Sequence, residues 1–211
     1  MCCIGRITAE YRERMYDVLA LYAKPYDVQE PVICLDEKSK QLLEQTRQPL
    51  AASPGHIARE DYEYRRAGTR NLFVAVEPKG GRRTKPDFVG FVQRLVNGAY
   101  ATARTIHLVL DNLNTHFRGS FEQVLGVEVA RQFLARIEFH YTPKHASWLN
   151  MAEIEIGILE RQCLGRRIGS EHHLKAEAEA WKQRRNAAGC QIEWTFTRQD
   201  ADQKLARHYV T

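Results

Sequence analysis

Leu108-Val-Leu-Asp-Asn-Leu-Asn-Thr-His116 is an apolar run that stops at an acid, with polar residues following at once. A buried strand that delivers a carboxylate to the edge of a sheet has this pattern. The pattern occurs again upstream, in Pro31-Val-Ile-Cys-Leu-Asp-Glu37. A third acid, Glu153, lies in Trp148-Leu-Asn-Met-Ala-Glu-Ile-Glu155, which reads as the start of a helix. Two strand-end aspartates, Asp36 and Asp111, and the helical Glu153 make an all-oxygen donor set suited to Mg²⁺ or Mn²⁺. Such a set supports phosphoryl transfer on nucleic acids with two ions.

Outward from these acids, strands alternate with helices, so an α/β layered domain is expected. Residues 8–22 read as a helix with Thr8 as N-cap. Val32–Asp36, Asn71–Val76, Thr105–Leu110 and Ile137–Tyr141 read as strands, and residues 44–58 as a polar loop. After the turn Pro78-Lys-Gly-Gly-Arg-Arg83, Thr84 is placed to cap a helix through Val96, with Phe88, Phe91, Val92 and Leu95 on one face. Further helices are expected over residues 120–134, 149–164, 171–187 and 198–208, and a short strand over 191–196.

The chain has 211 residues, a formal charge of +5 and five cysteines, Cys2, Cys3, Cys34, Cys163 and Cys190. That length suits one domain with small appendages. The segment from Arg59 to Arg104 holds 10 lysines and arginines against 5 acids, so the whole positive excess lies there. Together with the acids, this points to a face that contacts phosphates. The odd, scattered cysteines form no C-x-x-C pair, which argues against a disulfide framework or a cysteine zinc site. No signal peptide or membrane-spanning run is evident, so a cytoplasmic, nucleoid-associated location is expected, with no membrane partner.

Each acid has a plainer reading. A strand-end aspartate is often a turn residue or a helix cap. Asp36 and Glu37 point to opposite faces by strand alternation, and the residues alone do not choose between them. Asn150-Met-Ala-Glu153 fits a capping box. Glu155 lies about 200° around the helix from Glu153, so only one of the pair faces the metals. His116, His140 and His145 are too widely spaced for a strong zinc argument and are read as contacting phosphate or packing locally. Trp148 is placed to stack on a base or to act as a packing staple.

Leu35-Asp-Glu37, Asp111-Asn-Leu-Asn-Thr-His116 and Tyr141-Thr-Pro-Lys-His-Ala-Ser-Trp-Leu-Asn-Met-Ala-Glu153 strongly resemble the catalytic domain of bacterial insertion-sequence transposases of the mariner-related superfamily. The resemblance runs from about Ile4 to the C-terminus. It implies a ribonuclease-H-like (integrase-like) mixed sheet flanked by helices, and an Asp/Asp/Glu site formed by Asp36, Asp111 and Glu153 that holds two Mg²⁺ or Mn²⁺ ions. It also implies cleavage of double-stranded DNA at transposon ends, joining to a target, and a homodimer across the paired ends. The candidate DNA contacts are Arg82, Arg83 and Lys85 in the basic turn, Asn112 and His116 after the second aspartate, and Lys144, His145, Trp148 and Asn150 ahead of Glu153.

The chain departs from the family pattern in two places. Only 35 residues precede Asp36, so residues 1–30 are expected to be a linker helix without the usual end-reading region. Residues 31–170 are then the catalytic domain and 171–211 a C-terminal helical extension packed on it. Residues 77–85 pass almost directly to a helix, so the third strand is expected to be shortened or missing. These departures keep open a decayed remnant that only binds DNA. A ribonuclease H or junction resolvase is a third reading, against which the Trp148–Glu153 block argues.

Overall fold

The computed structural model describes residues 6–59, 61–84, 88–111 and 118–209. Five strands form one mixed sheet in the order β3-β2-β1-β4-β5. They are β1 (Val32–Gln45), β2 (Tyr64–Glu77), β3 (Arg82–Thr84), β4 (Ile106–Leu110) and β5 (Ile137–Tyr141). The β1/β2 and β2/β3 pairs are antiparallel, and β1/β4 and β4/β5 are parallel.

Strand alternation sorts the core into two layers. Ile33, Leu35, Ala75, Ile106, Leu108 and Leu110 face a layer made by α2 (Phe88–Arg94), α3 (Arg118–Leu125) and α4 (Val127–Leu134), where Val92, Phe121, Ala130 and Leu134 are buried. The opposite face carries Cys34, Val109, Val74 and Val76. It is covered by α1 (Ala9–Ala23), α5 (Ala152–Leu159), α6 (Glu171–Ala187) and α7 (Arg198–Leu205). Trp181 of α6 is buried at 3 % exposure against Val74 and Val76, so the C-terminal segment covers the sheet.

Local signals set several boundaries. Thr8 caps α1 by accepting from the Tyr11 amide at 3.2 Å, as its residue type favours. Ser170 does the same for α6 through His173, and Thr197 and Asp200 form a capping box on α7. The expected 120–134 helix is two helices, broken at Gly126, whose φ of 77° leaves the helical region.

Of the two expectations for the third strand, shortened or missing, the structure has the shortened one. Arg82–Thr84 pairs with Ala75–Glu77, which makes a short but real edge strand. The reversal depends on the two glycines of the turn. Gly81 has φ 64° and donates its amide to the Glu77 carbonyl at 2.9 Å. A Cβ at Gly80 would collide with the Glu77 carboxylate. Thr84 therefore ends a strand. β1 and β2 also run past their expected ends, each to 14 residues, because their polar halves pair with each other from Lys38↔Leu72 to Gln45↔Tyr64, with a bulge between Gln41 and Leu43. Their alternation carried no apolar signal there. The expected strand at 191–196 is irregular and forms no ladder among the described residues. Ile192 donates to the Pro78 carbonyl at 3.0 Å, and the segment forms no ladder beyond that.

Candidate active site

The parallel pairing of β1 and β4 ends at Leu35↔Leu110, so the next residues lie side by side, Asp36 within the longer β1 and Asp111 just past the end of β4. Neighbouring strands lie about 4.8 Å apart. By alternation both aspartates follow Cys34 and Val109 onto the face covered by α5. Asp36 is buried at 6 % exposure, and its Oδ1 accepts from the Glu37 amide at 2.7 Å. Asp111 is half-buried. Glu37 projects to the other face by the same alternation.

The first turn of α5 is clasped to this strand end. Asn150 is fully buried and donates through Nδ2 to the Leu35 carbonyl at 2.9 Å. Its Oδ1 accepts from the Ala152 amide at 3.1 Å, one of the amides a helix start leaves without an intrahelical partner. The Glu153 amide closes on the Asn150 carbonyl at 3.0 Å. Tyr22 of α1 adds a third tie, donating to the Leu149 carbonyl at 2.7 Å. Around these ties Leu149, Met151 and Ala152 pack on Cys34 and Val109. Burial pushes the Cys34 thiol up to about 12, so it serves as an inert core group.

Glu153 and Glu155 then divide as helical geometry requires. Glu153 is exposed, while Glu155 is fully buried and paired with Arg185 of α6 at 2.6 Å. The plainer reading of Glu153 as a capping-box acid is not what the structure has, because Asn150 itself caps Ala152 and α5 has no other side-chain cap.

Asn150 is therefore a correction to the candidate DNA contacts. A side chain with no exposed surface cannot reach a phosphate, and both of its functions are spent on the chain itself. Lys144 and His145 are exposed, and His145 takes the left-handed conformation at φ 65°. Together with Arg6 and Arg14 they line an open cleft of about 300 Å³ beside the start of α1. Trp148 is 42 % exposed but stacks on Trp194 at 6.4 Å and meets Phe196 edge-on at 5.4 Å. It is a packing residue with a partly open ring. Of the basic turn, Lys79 is occupied in donating to the Tyr22 carbonyl at 2.8 Å at the end of α1. Only the main chain of Arg82 and Arg83 is described. Lys85, Asn112 and His116 lie outside the described residues.

Reading the sequence alone missed the clasp. The signal for it was available, since Asn150 is the one polar residue in Trp148-Leu-Asn-Met-Ala152. A mixed sheet with two aspartates side by side on adjacent central strands and a glutamate at the start of a helix packed on that face defines a ribonuclease-H-like domain with an acidic site. Residues 31–175 match the family of DDE superfamily endonucleases, and the chain belongs to that family.

Solved structures share the fold. A pre-cleavage Mos1 transpososome is similar with a TM-score of 0.54 and 14 % identity, over 99 % of this chain and 67 % of that one. The Mos1 mariner paired-end complex with Mn gives 0.50 and 16 %, over 90 % and 62 %. The Mos1 transposase paired-end complex with left transposon end gives 0.50 and 15 %, over 90 % and 62 %. The chain thus spans about three-fifths of the length of the paired-end transposase chains it resembles. No curated protein matches it in sequence. Among the described residues no helix is long and apolar enough to cross a membrane.

Proposed function

We propose that this chain is the catalytic domain of a DNA transposase, cutting DNA strands and joining a freed 3′-hydroxyl to a target, with Asp36, Asp111 and Glu153 as its catalytic carboxylates. The observation that carries this reading is the clasp. Asn150 joins the carbonyl of Leu35, the residue before Asp36, to the helix turn that bears Glu153, while β-sheet register sets Asp111 beside Asp36. Family membership and the fold shared with transposase–DNA complexes support it.

The donor set fits the implied cations. Three carboxylates from three elements offer only hard oxygen ligands, which Mg²⁺ and Mn²⁺ prefer. Bound there, two such ions supply Lewis-acid activation of the attacking and leaving oxygens. The residues hold that site rigidly, because two of the acids sit on central strands and the third on a helix start tied down at Asn150 and Tyr22. Lys144, His145, Arg6 and Arg14, the last paired with Glu10 at 2.8 Å, line a cleft suited to the backbone of duplex DNA, and the lysine and arginine charge would make binding salt-dependent. Arg82, Arg83 and Lys85 are further candidates for that backbone. A homodimer across paired ends and nucleoid association follow from the same reading.

The test is Mn²⁺-dependent nicking of supercoiled plasmid by the purified chain beside Asp36→Asn, Asp111→Asn and Glu153→Gln. Nicking by the parent that each variant abolishes supports the assignment. DNA binding with no nicking in parent or variants would refute it and favour a remnant that only binds DNA.

A further inference from the structure

His107 is an imidazole inside the apolar strand Ile106-His-Leu-Val-Leu110, and the acidic site does not use it. The parallel register of β4 and β5 pairs His107 with Glu138 and Val109 with His140. All three polar side chains therefore leave the same face near the N-terminal end of β4. One donor atom from each lies within 4.8 Å of the other two. His107 Nδ1 is 3.0 Å from His140 Nε2 and 3.2 Å from Glu138 Oε2. A tetrahedral ion with bonds of about 2.0 Å spaces its ligand atoms about 3.3 Å apart.

A second, independent feature points the same way. His140 Nδ1 lies 2.7 Å from the Asp17 carboxylate on α1. That carboxylate accepts the Nδ1 proton, so the lone pair of Nε2 faces His107. Metal-binding histidines are commonly oriented in this manner, with the far nitrogen held by an acid. Asp17, Glu138 and His140 also line an open cleft of about 520 Å³ with Ile137, Phe139 and Tyr141, which gives a water access to the two outer ligands, while His107 lies buried behind them.

The geometry points to a transition-metal site, for Zn²⁺, made by His107 Nδ1, His140 Nε2 and a Glu138 carboxylate oxygen, with Asp17 orienting His140 and a water as fourth ligand. Two nitrogens and one oxygen select zinc over the hard cations that suit an all-oxygen site. The two sites are separate, because His107 and Asp111 are four residues apart on an extended chain, or about 13 Å. The ion would brace the edge of the sheet, joining β5 to β4 directly and to α1 through Asp17.

The test strips the full chain of metal and adds Zn²⁺ alone, read by calorimetry, and Co²⁺ alone, read by its visible absorption. The expected result is one Zn²⁺ per chain that excess Mg²⁺ does not displace, and a cobalt spectrum with nitrogen ligands. His140→Ala should abolish both signals. Glu138→Gln, at a side chain 61 % exposed and so harmless to folding, should weaken them. Asp17→Asn should lower affinity about 10- to 100-fold. Asp36→Asn and Asp111→Asn should leave them unchanged. Absence of one-to-one binding, binding that survives both His140→Ala and Glu138→Gln, or binding lost in the Asp36 or Asp111 variants would overturn the assignment.

Discussion

Asn150→Ala isolates the clasp. The substitution deletes the 2.9 Å bond to the Leu35 carbonyl and the 3.1 Å bond from the Ala152 amide, in a setting with no exposed surface. Two net hydrogen bonds at about 1 kcal/mol each, with part of the cost of stranding a buried backbone group, sum to about 3 kcal/mol. For a chain of this size each kcal/mol lowers Tm by about 2–4 °C, so a fall of about 6–12 °C is expected. The loss of position should cost more than stability alone implies, since a displacement of about 1 Å at a catalytic group lowers a rate about 100-fold. Thermal unfolding by circular dichroism and Mn²⁺-dependent nicking measure the two effects at a temperature where the variant stays folded. Lys144→Ala is the control, an exposed change whose Tm should hold. An Asn150→Ala protein with parental Tm but weaker, salt-dependent DNA binding would refute the clasp and restore Asn150 as a DNA contact.

Two other substitutions probe how the site is supported. Arg185→Met leaves the buried Glu155 carboxylate without its 2.6 Å partner and should destabilise by about 3–5 kcal/mol in urea unfolding. Glu155→Gln combined with Arg185→Met should recover part of that loss, and no recovery would count against a direct pair. Gly81→Ala forces a side chain into φ 64°, with its Cβ 3.0 Å from the Gly189 carbonyl, at a cost of about 1–3 kcal/mol. Amide exchange should then quicken at residues 82–84 but not at 106–110. Unchanged exchange at 82–84 would mean the glycine turn does not hold β3.

The elements that a local pattern encodes were legible in the sequence. Asp36 and Asp111 stand out because each follows directly on a short apolar run, and the two runs pair as neighbouring parallel strands. Thr8 and the 171–187 helix were legible because caps and charge spacing act within one turn. Whether the third strand was shortened or missing stayed open because three residues carry too short a pattern. What makes them a strand is the two-glycine turn and the free edge of β2, and pairing of that kind depends on register rather than composition.

By itself, then, the sequence determined the apolar parts of the strands, most helices and the core, since those follow from periodicity and capping along neighbouring residues. Only the tertiary structure decided which polar groups meet. Asn150 reaches Leu35 across 115 positions and His107 reaches His140 across 33. Such encounters are set by strand register and by how α1 and α5 pack on the sheet. The same Asn could have faced solvent had α5 been rotated, and burial on that face is what turns an apparent DNA contact into the clasp beside Asp36.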